Sequence, residues 1–253
     1  MMILYLIIFF IFGCFFGSFF TVVGLRLPKK EKFVFNRSHC DKCHHELSYK
    51  DMVPIISYWL LKGRCRYCHG KINDLSTYME FFTGVLFALS FFAFGFSWKL
   101  AIALGIVAML IIVSVSDITY YIIPDEILVF FACYFIIITC LSNGAIVALK
   151  SIGNGIILFA IMYLIMFLGN AIFKKETLGG GDVKMMFVFG LLLNPVMGLV
   201  VIFVASFLAL PISLLILYKS SQNLIPFGPF LLIGFTFIYF TGFDFSIILK
   251  LLT

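Results

Sequence analysis

Two aspartates stand out in this otherwise apolar chain. Asp182 follows Gly179, Gly180 and Gly181 in the stretch "ETLGGGDVKMMFVFG", and Asp117 lies between "AMLIIVSVS" and "ITYYIIPDE". Ionisable groups among apolar segments are expensive to keep and call for a functional account. Two carboxyls about one water apart can hydrolyse an amide: one, ionised, takes a proton from the attacking water, and the other, protonated, donates to the carbonyl oxygen. Like charges so close cannot both stay ionised, so the pair shares a proton. The three glycines remove side-chain bulk and let a second segment approach. Helix ends favour Asp182, at a helix N-terminus, as the anion and Asp117, at a helix C-terminus, as the acid. The plainer alternative makes Asp182 an N-cap and Asp117 a polar helix end.

A second group of residues has metal-ligand spacing. "CDKC" (Cys40, Cys43) and "CRYC" (Cys65, Cys68) lie 21 residues apart, close to the spacing of a four-thiolate zinc site. Zinc would supply folding free energy that so small a segment lacks in apolar core. Two disulfides are the competing reading, disfavoured if the segment lies in a reducing cytoplasm. His39, His44, His45 and His69 flank the knuckles as substitute ligands or, more simply, as solvated side chains. Cys14, Cys133 and Cys140 sit in apolar runs as small hydrophobes.

The elements that position these groups are membrane helices. The chain is 63% hydrophobic and 12% charged, with a mean hydropathy of +1.14. Apolar runs near 20 residues predict an all-α polytopic membrane protein rather than a barrel. Spans are expected at 2–25, 76–95, 98–116, 126–141, 146–172, 183–193, 195–218 and 227–250, about eight in all. Asn194-Pro195 marks either a turn between two of them or a kink within one. The first run lacks a basic n-region, since Arg26 is the earliest basic residue, and reads as a retained span. With the N-terminus outside, 15 of the 18 Lys and Arg fall on the cytoplasmic side, so the net charge of +6 is a topology signal and calls for no nucleic acid. In that threading Glu80, Asp117, Asp125, Glu126 and Asp182 border cytoplasmic span ends and Asp244 the outer side. The expected organisation is a first helix (1–25), a small cytoplasmic zinc-ribbon-like insertion (26–75) and a transmembrane peptidase domain (76–253).

The residues taken together resemble the type IV prepilin leader peptidases, in their competence-associated Gram-positive branch. "GSFFTVVGLRLP", "RSHCDKC", "VPIISYWLLKGRCRYC", "STYMEFF", "VSDITYYIIPDEI", "GGGDVK" and "PFGPF" follow one another in the family's order. The resemblance implies an integral membrane aspartyl endopeptidase that removes basic leaders from prepilins and pseudopilins at the cytoplasmic face, after a glycine preceding an apolar stem. It implies Asp117 and Asp182 as the catalytic pair and Gly179 to Gly181 as residues shaping the site. Many members also methylate the new N-terminus with S-adenosylmethionine, a role tied to a glycine matching Gly63. Here the N-terminal signature carries Phe20-Thr21 where the family commonly has Leu-Asn, and Gly63 equally suits a turn before the second knuckle. Two rival readings are a proton-coupled transporter using the same aspartates and a membrane-anchored zinc module acting as an assembly factor.

Overall fold

The computed structural model describes residues 1–32, 38–40, 42–175, 177–219 and 225–243, and it is helical with no strand among them. Glu176, Asp244, Lys250 and the last part of the expected 227–250 span lie outside the described residues. The helices are α1 (Met2–Arg26), α2 (Ile56–Leu60), α3 (Leu75–Phe94), α4 (Trp98–Tyr120), α5 (Asp125–Asn143), α6 (Ala145–Phe173), α7 (Gly180–Gly190), α8 (Pro195–Lys219) and α9 (Gly228–Thr241). Setting aside the short α2, eight apolar helices match the eight expected runs, and six of them are long and apolar enough to cross a membrane. At 11 residues, α7 reaches only ~16 Å, about half the hydrocarbon thickness. Asn194-Pro195 is a turn between two helices: α7 stops at Gly190, Pro195 opens α8, and Asn194 Oδ1 caps it by accepting the Met197 N–H at 2.8 Å.

The chain forms two compact units, Met1–Phe96 and Ser97–Thr253. In the first, α3 packs on α1, so the helix at 75–94 shares a core with the N-terminal segment. The seam is made of small residues. A Cβ on Gly13 would lie 2.7 Å from Gly84 Cα, and one on Gly17 would lie 2.7 Å from Thr83 Oγ1. In lipid such close backbone approach takes the place of a hydrophobic driving force between helices. Phe9 stacks on Phe91 at 4.6 Å farther along the same seam. Outward residues such as Ile11, Phe12 and Phe15 are exposed and apolar, as befits a lipid-facing surface.

In the second unit α4 is the hub. From Leu100 to Asp117 it is buried almost throughout, and it packs on both α5 and α9. Tyr134 of α5 donates to the Ala101 carbonyl at 2.7 Å. The short α7 is buried too, against α6, where a Cβ on Gly155 would lie 2.8 Å from the Phe187 carbonyl oxygen. Phe189 of α7 stacks on Phe235 of α9 with centroids 4.2 Å apart.

The α1–α3 seam predicts that Gly13→Leu or Gly17→Leu destabilises the first unit by about 1–3 kcal/mol through overpacking. Phe12→Leu, on the exposed face, should change stability by less than about 0.5 kcal/mol. Denaturant titration in detergent micelles checks this, and equal midpoints for all three variants would mean that the seam does not bear the packing.

Candidate active site and metal centre

Asp117 sits in the last turn of α4 and Asp182 is the third residue of α7; both are buried. Although 65 residues apart in sequence, their segments meet around Ile123, which lies against Gly181 beside Asp182 and against Gly228 beside Asp117 Oδ2. Asp117 Oδ2 accepts the N–H of Gly228, the first residue of α9, at 3.0 Å. Gly179, and not Asp182, holds the N-cap position of α7, and Asp182 Oδ1 is buried with no hydrogen-bond partner.

One side chain connects the two acidic segments. Tyr121 caps the C-terminus of α4 in the left-handed conformation at φ 56°, its N–H on the Asp117 carbonyl, and the chain then turns through Ile122, whose carbonyl accepts the Ser116 hydroxyl at 2.5 Å. Ile123 follows. A Cβ on Gly181 would lie 2.8 Å from Ile123 Cβ, and one on Gly228 would lie 3.3 Å from Ile123 Cδ1 and 2.9 Å from Asp117 Oδ2. Only glycine admits an isoleucine and a carboxylate this close, so Gly181 and Gly228 are required by packing. The other two expected shaping glycines differ: Gly179 faces Asp182 Oδ2 at 3.1 Å, while Gly180 faces open space. The loop into α7 is anchored where the Thr177 N–H and hydroxyl both meet Asn170 Oδ1.

Around this core the surroundings divide into a polar edge and an apolar groove. Lys184 pairs with Asp125 at 2.7 Å, joining α7 to the first turn of α5; the pair is exposed and contributes at most about 1 kcal/mol. Beyond it a groove of about 610 Å³ runs between α5, α6 and α7, lined by Leu128, Val129, Ala132, Phe159, Phe187 and Val188.

The four cysteines of the first unit form a second centre. The Sγ atoms of Cys40, Cys43, Cys65 and Cys68 lie within 4.8 Å of one another, and Cys40 and Cys68 are 3.9 Å apart. A tetrahedral zinc with bonds near ~2.3 Å separates its sulfurs by ~3.8 Å, so the set fits such an ion and is far from disulfide length. The two knuckles repeat one backbone design. His44 N–H donates to the Cys40 carbonyl as His69 N–H does to that of Cys65, both histidines adopt φ 55°, and Cys40 and Cys65 each donate back across the turn, to His45 and Gly70. The histidines are exposed and stand outside the cluster. The N–H groups of Cys43 and Lys42 draw the Cys40 thiol down to about 7. Cys43, despite the His45 N–H, is pushed up to about 11 by desolvation and the neighbouring sulfurs. Four crowded sulfurs resist losing four protons unless a cation balances them.

Gly63 is buried at φ 68°, its N–H on the Tyr58 carbonyl and its own carbonyl on the Ile72 N–H, and a Cβ there would lie 2.7 Å from the Tyr58 hydroxyl. Both its polar groups are used in the turn that leads to the second knuckle. Glu80, buried in α3, accepts the N–H of Ile55 at 2.9 Å. Ile55 is a β-branched residue at φ 62°, a costly backbone state that this contact helps to hold.

The sequence was then compared with known proteins. A family model described as the bacterial peptidase A24 N-terminal domain matches residues 11–94, and one described as the type IV leader peptidase family matches residues 104–214. A prepilin leader peptidase/N-methyltransferase of Bacillus subtilis is 32% identical over 74% of this chain and 73% of its own length. The chain belongs to the type IV leader peptidase family. A Vibrio cholerae relative of the same name is 30% identical over 94% of this chain and 97% of its own length, and one from Neisseria gonorrhoeae is 27% identical over 92% and 89%. No solved structure matches the chain.

In this member of the family, the two family models meet near the boundary between the compact units. The N-terminal one takes in the four cysteines and Glu80, and the other takes in Asp117 and Asp182 but ends before Gly228. Sequence reasoning gave no role to Ile123 or Gly228. The "PFGPF" string marked the neighbourhood of Gly228, but nothing local indicated which carboxylate its N–H would meet.

Metal analysis of the purified protein is expected to give about one divalent ion per chain, bound by the four thiolates. Cys65→Ser should abolish this binding and expose residues 38–75 to limited proteolysis. Full protease resistance of metal-free protein would show that the cluster folds without an ion.

Proposed function

We propose that this protein is an aspartyl endopeptidase that cleaves the leaders of prepilins or pseudopilins at the cytoplasmic face of the cell membrane. The observation that carries this reading is the pair of buried carboxyls, Asp117 and Asp182, whose segments meet around Ile123 beside three glycines and the starts of two helices. One carboxylate takes a proton from water as its oxygen attacks the peptide carbonyl carbon, and the other carboxyl protonates the carbonyl oxygen. Collapse of the diol returns that proton to the second group, the first delivers its proton to the leaving nitrogen, and the carbon–nitrogen bond breaks. Atoms and charge balance without a metal or a covalent intermediate.

The substrate follows from the surroundings of the site. A stem that is an apolar helix in the bilayer can lie along the groove between α5, α6 and α7, which leads from the helix that carries Asp182. A basic leader would remain at the cytoplasmic surface, where the chain's own Lys and Arg concentrate in the expected threading. The four-cysteine cluster is proposed to hold a structural zinc through Cys40, Cys43, Cys65 and Cys68. Its contribution would be folding free energy for residues 38–75.

Relatives are also named for N-methyl transfer. Gly63 does not fit a contact to S-adenosylmethionine, because its N–H and carbonyl are both taken up and its open side faces Tyr58. In this reading Gly63 is the turn glycine of the second knuckle.

Asp117→Asn and Asp182→Asn should each reduce processing of a co-expressed prepilin by at least about 10³-fold, read as loss of the mobility shift on a gel. Each variant should remain inserted and folded. Processing by either one would refute the hydrolytic role.

A further inference from the structure

Resting on that reading, we infer that the N–H of Gly228, at the start of α9, fixes Asp117 as the ionised base, and that Asp182 is the carboxyl that holds the proton. The two acids have unlike surroundings. Asp117 Oδ2 receives a buried N–H at 3.0 Å from a residue 111 positions away. It also lies at the N-terminal end of α9, on the partial positive charge of that helix. Asp182 Oδ1 is buried and receives no donor. A buried anion oxygen without a donor is costly, whereas a protonated carboxyl there carries no charge and can donate to the peptide oxygen.

The reading from helix ends alone runs the other way, because it counts α4 and α7 and not α9. The C-terminal end of α4 disfavours a charge on Asp117, but a direct charge-assisted hydrogen bond outweighs that dipole. Asp182, in the first turn of α7, gains the dipole, but its buried Oδ1 gains no donor.

The other titratable groups nearby are already accounted for. Lys184 on α7 is taken up by Asp125 on α5; Glu126 and Tyr121 are exposed, and Tyr120 ends α4. In the described part of α9 the titratable side chain is Tyr239, three helical turns from Gly228. Asp117 is the charged group that bears on Asp182, and a proton on Asp182 removes their repulsion.

In the proposed step Asp117 takes the proton of water while Asp182 gives its proton to the carbonyl oxygen. Gly228 is thus a positioning residue that acts through Asp117.

Two measurements test this. Gly228→Ala puts a Cβ where Asp117 Oδ2 now lies 2.9 Å away, and Gly228→Pro removes the N–H altogether. In both, the acid limb of the pH profile of prepilin cleavage should move up by roughly 1–2 pH units, the worth of one charge-assisted hydrogen bond, with activity recovering at higher pH. An even loss at all pH values would assign Gly228 a packing role only and overturn the inference. Should neither variant fold, site-resolved ¹³C titration of aspartate carboxyls in the unaltered protein decides, with assignments from Asp117→Asn and Asp182→Asn. Asp117 ionising first supports the inference, and Asp182 ionising first overturns it. The order of titration is independent of whether those Asn variants still cut prepilin, so the peptidase reading and this assignment fail separately.

Discussion

The second unit is organised around the requirement that two buried carboxyls be held close together in a medium that disfavours both. Each charge taken out of water must find a donor, a partner or a proton. Here Asp117 has the Gly228 N–H, whereas Asp182 Oδ1 has no donor. That asymmetry depends on three chain segments converging: the end of α4, the start of α7 and the start of α9. Ile123 fills the space between the latter two, and Gly181 and Gly228 are the points at which the backbone gives way to it. Any side chain at either glycine would push a helix start away from the carboxyl it serves.

The need for this convergence also accounts for the short α7. A full-length span would carry its N-terminus to the membrane edge on the path set by hydrophobic thickness. Eleven residues packed against α6 and α9, with Phe189 on Phe235 and Gly155 under Phe187, instead place the first turn where packing dictates. The buried α4 supplies the other fixed reference, since a helix that is apolar on every side and covered on every side has little freedom to shift.

The first unit solves a different problem by different means. Two lipid-facing helices join through a glycine seam, and a polar segment too small for a core of its own gathers four sulfurs instead. The repeated knuckle, with a histidine after each second cysteine in the left-handed conformation, is a backbone solution that aims both pairs at one point. Glu80 ties that segment to α3 through the N–H of Ile55, so a buried acid in this unit has a structural partner in hand.

Much of this was legible in the sequence because it is written in local patterns. Apolar run lengths determined the helices, Asn194-Pro195 marked a boundary, and the cysteine spacing marked the four-sulfur cluster, since each depends on residues near one another in the chain. Counting spans gave the expectation that Asp117 and Asp182 share a membrane face. The tertiary structure alone decided whether Asn194-Pro195 turned or kinked the chain, which glycines are truly needed for close approach, and which carboxyl receives a donor. The last depends on Gly228, 111 residues from its acceptor, and on helix packing that brings a third N-terminus to the site. A hydrogen bond between distant segments leaves no periodicity or spacing in a single chain, so only the folded arrangement can reveal it.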